Sequence, residues 1–416
     1  MSENRKFTAR DTALEVLMQI ERANAWSDSS LKRTIAKNGL EGREAALATR
    51  LAYGVVQNRT LLDYYITCYC VQKAHRLEPV IRNILRIGGY QILFMDKIPH
   101  RAAVMNMLPI PQGSTAEYLS VRYSHPRWLV ERLLELLPAE EAEQFLQGDN
   151  DIVPTTIQTN LLKTDDESLL QELRQAGVDI ERHGWLPHCF TVSGTGSLER
   201  LPAFAEGRFM VQDAAAHLVT VVAGPQKGDR VQDVCAAPGG KSFAAAIAME
   251  GEGQILSCDI HPHKLKLIDS GAKRLGISCL RTMLADAREH HAAWDRAADV
   301  VIADVPCSGL GIIRKKPDIR YKNPEELAQL PIIQRGILEN VCRYVRSGGV
   351  LVYSTCTILP EENEQVTEAF LQAHPEFERT AFTLPLPIGS CDGQLTLWPQ
   401  RHGTDGFYIC RMRRKD

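Results

Sequence analysis

The spacing of apolar residues divides the chain into three stretches. In the first, up to about residue 138, apolar positions recur at helical intervals, as at Leu14, Leu17 and Met18, with few β-rich runs between them. This pattern predicts an all-α domain over residues 1–138. Its joints are marked by Pro79, Pro99 and Pro109.

Residues 139–203 have a mixed pattern. The run "TTIQTNLL" is typical of a strand, "DESLLQELRQAG" of a capped helix that ends at Gly177, and "VDIERHGWLPHCFTV" of further extended chain. We therefore predict a small α+β, RRM-like connector domain, which is too short to be a catalytic core and suits a platform for RNA.

Residues 204–416 alternate short β-branched runs with helix-sized segments. The runs "RVQDVC", "GQILSCD", "ADVVIADV" and "GGVLVYSTC" predict the strands of a parallel, Rossmann-like α/β sheet with helices on both faces. Ligands bind such sheets at the carboxyl ends of the strands. Every chemically interesting residue of this domain follows one of these runs, so the function is expected at that edge.

Composition narrows the class of protein. The 416 residues suit two or three domains, and the opening "MSENRKFTARDT" lacks the charged-then-apolar order of a secretory signal. No apolar run is long enough to cross a membrane. Eleven cysteines without a CxxC pair argue against a disulfide framework and a zinc site. We expect a cytoplasmic, monomeric protein with no metal and no membrane partner.

The glycine-rich stretch "VQDVCAAPGGKS" lies between a predicted strand and a predicted helix, where small residues let the backbone approach a ligand. A P-loop would need glycine at Cys235, and the dinucleotide pattern GxGxxG is absent. Asp259 ends the next strand, 20 residues after Gly239, where an acid can bind ribose hydroxyls. Asp286 and Asp304 end the following two strands. These features predict an adenosine-like ligand without a phosphate, and S-adenosylmethionine fits.

Two cysteines follow separate strands of this sheet, Cys307 in "DVPCSG" and Cys356 in "STC". A single cysteine is more often a buried packing residue. Two that meet over one pocket favour covalent catalysis, because a thiolate is strongly nucleophilic and can also leave. Addition of a thiolate to C6 of cytosine would make C5 nucleophilic enough to accept a methyl group.

The same stretches carry a family resemblance. "DVCAAPGGKS", "DVPCSGLGIIRKKPDIR" and "STCTILPEENE", together with "FMVQDAAA" and "DGFYICRMRR", resemble the cofactor loop and the two cysteine motifs of the RNA cytosine-5 methyltransferase family. The helical stretches "ARDTALEVL" and "IRNILRIGGYQILF" are similar to a NusB-like RNA-binding domain. After Pro99 the chain departs from the regular helix usual in that domain.

The resemblance implies a role for each matching residue. Cys356 would be the nucleophile, Cys307 would assist release, Asp304 would face the target base, and Lys241 would orient Asp304. The implied S-adenosylmethionine contacts are Cys235, Ala236, Ala237, Pro238, Gly239, Gly240, Lys241, Asp259, Asp286 and Asp304.

With a net charge of −3, nucleic-acid binding must come from local clusters. One cluster follows the Cys307 motif directly and is expected to contact RNA phosphates, although a solvated face gives the same pattern; its members are Arg314, Lys315, Lys316 and Arg320.

The residues and the resemblance together imply an S-adenosylmethionine-dependent enzyme that methylates C5 of a cytidine, and the resemblance implies 16S ribosomal RNA, either free or in a partly assembled small subunit, as the substrate. Two alternatives remain open. One is a transfer-RNA methyltransferase with the same chemistry, and the other is a non-catalytic ribosome-assembly factor that uses the fold to bind RNA.

Overall fold

The computed structural model describes residues 7–23, 27–95, 113–193 and 198–416, and the chain forms two compact units. The first unit comprises Met1–Ile152 and Ile313–Asn323, and the second comprises Val153–Ile312 and Pro324–Asp416. The predicted break after Pro99 and the proline Pro109 lie outside the described residues.

The first unit is helical, as the apolar spacing predicts. Each helix turns an apolar stripe inward, and Val16, Leu51, Val55 and Leu62 share one core. The helices are α1 (Ala9–Ala23), α2 (Ser27–Lys37), α3 (Gly42–Gln57), α4 (Arg59–Tyr69), α5 (Pro79–Phe94), α6 (Thr115–Arg122), α7 (Arg127–Leu136) and α8 (Ala139–Gly148). None of the helices in the described part of the chain has both the length and the apolarity to span a bilayer.

The first unit is larger than the sequence pattern suggests, because α8 belongs to it. The Nε2 of Gln57 on α3 donates to Asn150 O at 2.9 Å, just beyond α8. The hydroxyl of Tyr123, which follows α6, donates to Glu143 on α8 at 2.7 Å. Residues 139–152 therefore complete the helical unit, where the sequence pattern assigns them to the connector.

The segment Ile313–Asn323 also belongs to the helical unit and carries a 3₁₀ helix at Pro317–Tyr321. Arg320 on it is fully buried. Its Nη1 donates to Gln57 O and Ser124 O at 2.9 Å and to Asn150 Oδ1 at 3.2 Å. The expectation that Arg320 contacts RNA phosphates is therefore wrong, since backbone carbonyls and an amide already occupy its guanidinium inside the core.

The second unit begins with a small antiparallel sheet of order β2-β3-β1-β4, made of β1 (Thr155–Thr159), β2 (Asp179–Arg182), β3 (Cys189–Ser193) and β4 (Phe209–Val211). Helix α9 (Asp166–Gln175) buries Leu169 and Leu173 against Ile157 and Phe190 of this sheet. Asp165 caps the helix by accepting from Ser168 N at 2.9 Å. The predicted α+β connector is thus present as a folded module.

The large sheet has the order β10-β14-β9-β8-β5-β6-β7, with β13 paired to β14. Strands β5 to β9 are parallel, whereas the remaining strands pair antiparallel. The bounds are β5 (Arg230–Asp233), β6 (Gln254–Asp259), β7 (Leu280–Leu284), β8 (Ala298–Asp304), β9 (Val345–Thr355), β10 (Phe377–Arg379), β13 (Gln394–Leu397) and β14 (Phe407–Arg414). A separate two-stranded sheet joins β11 (Phe382–Thr383) to β12 (Ser390–Cys391).

Helices connect most of the parallel strands, in agreement with the alternating pattern. The connecting helices are α12 (Gly240–Ala248) after β5, α13 (Pro262–Leu275) after β6, and α14 (Pro324–Leu327) with α15 (Leu330–Val341) after β8. The other helices of this part of the chain are α10 (Pro202–Ala205), α11 (Ala214–Ala223), α16 (Glu364–Ala373) and α17 (Pro399–His402). The connection from β7 to β8 differs from the expectation, because it holds only a 3₁₀ turn at Ala292–Trp294.

Strand register brings the chemistry to one edge. Asp304 at the end of β8 pairs with Ser354 of β9, so the residues that follow these two strands lie side by side. Asp233 ends β5 and Asp259 ends β6 at the same edge.

Candidate active site

The two cysteine thiols are in contact. Cys307 Sγ lies 3.2 Å from Cys356 Sγ, and Cys356 N donates to Cys307 Sγ at 3.3 Å. Both residues are half-buried. The sequence places them only on neighbouring strand ends, and the structure brings them to hydrogen-bonding distance.

The surroundings of Cys307 favour its neutral thiol form. The hydrogen bond with Cys356 and, second, burial raise the pKa of Cys307 well above the usual value for a thiol. The negative charges of Glu362 and Asp304 act in the same direction. Cys307 therefore keeps its proton at neutral pH and can donate a hydrogen bond to the sulfur of Cys356.

Asp304 and Lys241 form an ion pair beside the thiols. Lys241 Nζ lies 2.6 Å from Asp304 Oδ2, and Ser354 Oγ donates to Asp304 Oδ1 at 2.8 Å. Burial alone would lower the pKa of Lys241, but the carboxylate of Asp304 outweighs it and the pKa is raised. The amine also lies 5.3 Å from the ring centroid of Phe407. Lys241 thus stays charged and holds Asp304 in one orientation.

The glycine loop runs from β5 into the first turn of α12. Gly239 has φ +110°, and a Cβ there would lie 2.4 Å from the ring of Phe243. Ala236 N donates to Cys258 O of β6 at 2.8 Å, which fixes the loop over the sheet edge. Only glycine adopts this positive φ without strain and leaves room for the Phe243 ring, so position 239 requires glycine. The loop therefore forms a backbone cradle at the N-terminus of α12.

A buried acid supports this loop from below. Asp233 is fully buried, and its Oδ2 accepts from Ser242 Oγ at 2.7 Å. Burial raises the pKa of Asp233 to about 6. The hydroxyl of Ser257 on β6 continues the chain by donating to Ser242 Oγ at 2.7 Å.

Two further acids lie at the ends of β6 and β7. Asp259 is buried, and its Oδ1 accepts from His261 N at 2.9 Å. No partner of its Oδ2 is found in the described part of the chain. Asp286 instead has both carboxylate oxygens bound to Arg288, and this hydrogen bonding lowers the pKa of Asp286. A glycine cradle followed by a strand-end carboxylate oxygen open to a ligand fits the ribose of an adenosine-like cofactor.

Several residues that support the site carry no strong signal in the sequence. Ser354 and Phe407 contact the Asp304–Lys241 pair, while Glu362 and Gln334 lie behind Cys307. The position of Glu362 next to the "STC" motif offers a weak signal, but nothing marks Gln334, which lies in the middle of α15.

The remaining basic residues of the predicted RNA cluster lie on the segment that belongs to the helical unit. Lys315 and Lys316 are exposed and Arg314 is half-buried. Their side chains are accessible to a large ligand in a way that Arg320 is not.

A cavity of about 520 Å³ lies elsewhere in the second unit, around Arg230, Gln254 and Arg281 at the amino ends of the strands. None of the residues of the carboxyl-end site lines this cavity. Among the described residues, no group of three or more His, Cys, Asp or Glu could hold a metal ion.

Comparisons with known proteins agree with this architecture. Three family models match: the NusB family at residues 8–110, the RsmF/B-like ferredoxin-like domain at residues 125–199, and 16S rRNA methyltransferase RsmB/F at residues 220–413. The predicted fold, with a NusB-like helical domain, a small α+β domain and a Rossmann-like methyltransferase domain, is confirmed.

Individual relatives match most or all of the chain. The probable ribosomal RNA small subunit methyltransferase B of Bacillus subtilis is 34% identical, and the alignment covers 99% of this chain and 100% of the relative. The crystal structure of PH0851 matches with a TM-score of 0.84 and 28% identity over 100% of both chains. NSun6 from Pyrococcus horikoshii, solved with the S-adenosylmethionine analogue SFG, shares the fold with a TM-score of 0.62 and 22% identity over 70% of this chain and 98% of its own.

The sequence identity to the Bacillus subtilis relative and the matches of all three domain models agree with the geometry of the thiols, the acids and the glycine loop. The chain belongs to the 16S rRNA methyltransferase RsmB/F family, whose members depend on S-adenosylmethionine.

Proposed function

We propose that the protein methylates C5 of a cytidine in 16S ribosomal RNA through a covalent adduct between Cys356 and C6 of the base. The observation that carries the proposal is the 3.2 Å contact of the Cys307 and Cys356 sulfurs beside the Asp304–Lys241 ion pair. One thiol that keeps its proton next to a second thiol is an arrangement that covalent catalysis uses and that core packing does not need.

In the attack step, Cys356 is the nucleophile and Asp304 binds the base. The Cys356 thiolate adds to C6, and the electron pair of the C5–C6 double bond moves toward C5 and the ring. Asp304, held by Lys241 and Ser354, accepts a hydrogen bond from the N4 amino group and orients the base, while the ammonium group of Lys241 beside it offsets the negative charge that develops on the ring. Because these partners fix the carboxylate before the base arrives, no reorganisation is needed during the reaction.

S-adenosylmethionine supplies an electrophilic methyl group for the activated C5. The residues proposed to hold it are the loop Cys235–Gly240 and Asp259, with the open Oδ2 of Asp259 accepting from ribose hydroxyls. Asp286 is proposed to contribute at the edge of the same site, after exchange of part of its bonding with Arg288.

Release begins when the C5 proton is lost to solvent water. The electron pair of that C–H bond then re-forms the C5–C6 double bond, and the electron pair of the C6–S bond returns to the sulfur of Cys356. Cys307 assists by donating its retained thiol proton in a hydrogen bond to the departing sulfur, at the observed 3.2 Å separation. The raised pKa of Cys307 supports this donor role over removal of the C5 proton by a Cys307 thiolate.

The two cysteines are expected to behave differently when each is replaced. Cys356→Ala should abolish methylation and any covalent RNA species, whereas Cys307→Ala should accumulate a denaturant-resistant protein–RNA complex visible on a denaturing gel. Cys68→Ala, at an exposed cysteine on α4, is the matched control and should behave as wild type. A stable adduct in Cys356→Ala and none in Cys307→Ala would reverse the roles, and normal turnover in Cys356→Ala would refute the mechanism.

The substrate is tested by bisulfite sequencing of ribosomal RNA from cells with and without the protein. Loss of one protected cytidine from 16S RNA is the expected result. Methylation of transfer RNA with none in 16S RNA would favour the transfer-RNA alternative, and failure of the purified protein to bind S-adenosylmethionine would favour the non-catalytic assembly factor.

A further inference from the structure

The main chain on both sides of Cys307 is held by two buried side chains. Gln334 on α15 donates through Nε2 to Pro306 O at 3.0 Å, on the amino side of the cysteine. Glu362 accepts through Oε2 from Ser308 N at 2.9 Å, on the carboxyl side. The same Gln334 Nε2 also donates to Glu362 Oε2 at 2.9 Å. These bonds close a ring around the loop, which we call the bracket; it consists of Gln334, Glu362, Pro306 and Ser308.

Three of the four residues that form this bracket are withdrawn from solvent, whereas Pro306 is exposed. Gln334 and Ser308 are 0% exposed and Glu362 is 1% exposed, while Cys307 between them is half-buried. The hydroxyls of Ser308 and Thr357 are 2.6 Å apart, which ties the Cys307 loop to the residue after Cys356. A buried carboxylate is costly unless hydrogen bonds compensate it, so its use to hold a loop backbone implies a demand for fixed geometry.

The second oxygens of both side chains have no role in the ring. Glu362 Oε1 and Gln334 Oε1 are buried without a hydrogen-bond donor in the described structure. A purely structural clamp would be more stable with these acceptors satisfied. The charge of Glu362 contributes to raising the pKa of Cys307, after the bond to Cys356 and burial. The carboxylate therefore acts on the thiol as well as on the backbone.

We infer that Glu362 and Gln334 are positioning residues for the release step, which hold the thiol of Cys307 against the sulfur of Cys356. The assignment to the release step rests on the proposed function. That the bracket fixes the position of Cys307 does not depend on it. Without it, the loop at Pro306–Ser308 would move and the Sγ–Sγ contact would be lost for much of the time, although Cys356 would still attack C6.

The test compares Glu362→Ala, Glu362→Gln and wild type. Glu362→Ala removes the acceptor of Ser308 N, and should slow turnover by about tenfold or more, the scale of one buried hydrogen bond. Its adduct with RNA should form at the wild-type rate and accumulate. Glu362→Gln keeps an amide oxygen for Ser308 N and should restore most of the turnover. In a Cys307→Ala background, Glu362→Ala should change neither adduct formation nor release, because it acts only through Cys307.

A second readout works without RNA. The rate of alkylation of Cys307 by iodoacetamide, measured by peptide mass spectrometry, should rise about tenfold in Glu362→Ala and by clearly less in Glu362→Gln, which loses the charge but keeps an acceptor for Ser308 N. Unchanged S-adenosylmethionine affinity verifies the fold of each variant, and Gln334→Met replaces Glu362→Ala if the latter does not fold.

The outcomes separate the two claims. Absence of any adduct in both wild type and Cys307→Ala would refute the proposed function, while the alkylation rates would still decide whether the bracket holds Cys307. Wild-type turnover and wild-type alkylation in Glu362→Ala would overturn the bracket. An equal loss in Glu362→Ala and Glu362→Gln, or an additive loss on top of Cys307→Ala, would also overturn it.

Discussion

Arg320→Ala is expected to open the helical unit. The guanidinium is fully buried and donates through Nη1 to Gln57 O, Ser124 O and Asn150 Oδ1. Its Nη2 also lies 3.5 Å from Asp149 O. Burial lowers the pKa of Arg320, and the charge of Asp149 opposes this lowering. Alanine removes the guanidinium donor from all of these groups at once, and only Ser124 O and Asn150 Oδ1 keep a second, longer hydrogen bond of 3.4 Å.

The magnitude follows from the class of interaction. Removal of one member of a buried charged cluster costs about 3–5 kcal/mol, which is more than the roughly 1–3 kcal/mol of a single unsatisfied buried acceptor. We expect a loss of about 3–5 kcal/mol in the free energy of local opening of α3 and α6, because several acceptors lose their donor at once. A surface position would change by no more than about 0.5 kcal/mol.

Hydrogen exchange resolved by peptide mass spectrometry measures this loss directly. Peptides of α3 and α6 should lose protection in Arg320→Ala, while peptides of β8 and β9 serve as an internal control. Lys315→Ala, five residues away on the same segment, should leave α3 unchanged. Wild-type protection of α3 in Arg320→Ala, together with weaker RNA binding, would refute the burial argument and return Arg320 to the RNA surface.

Three further outcomes are expected. Asp259→Ala should weaken S-adenosylmethionine binding by about 1–3 kcal/mol in calorimetry, and an unchanged affinity would remove this residue from the site. Changing Lys315 and Lys316 together to glutamine should weaken RNA binding and flatten its salt dependence, whereas a wild-type slope would mark a solvated face. Burial lowers the pKa of His125 well below its usual value, so the unfolded chain binds a proton that the folded chain refuses. Stability should thus fall as pH drops below about 6.5, by up to about 1.4 kcal/mol per pH unit, and His125→Asn should lack this loss in urea unfolding.

Much of the site could be predicted because its signals are local. A strand-length apolar run followed by an acid or a glycine loop places Asp259, Asp304 and Gly239 at one edge of a parallel sheet, whatever the rest of the chain does. The two cysteine motifs follow the same rule. What these patterns could not supply is the distance between the sulfurs, which depends on the register of β8 against β9.

Long-range contacts explain what the sequence could not show. Arg320 lies in a basic run typical of an RNA surface, yet its partner Gln57 is 263 residues away in sequence. Gln334 has no distinguishing neighbour, and it reaches Pro306 from a different element. Neither contact leaves a periodicity or a motif, because burial at these points is decided by the tertiary pairing of distant segments.

The return of Ile313–Asn323 into the helical unit also has a consequence for biosynthesis. The rest of that unit, up to Ile152, emerges from the ribosome about 170 residues before this segment is complete. At a translation rate of roughly 5–20 residues per second, the helices lack the hydrogen bonds from Arg320 for on the order of 10–30 s. The N-terminal unit of this protein is therefore completed late in translation. A nascent or truncated chain that ends after Ile152 should expose the site of the missing segment Ile313–Asn323 to chaperones and proteases.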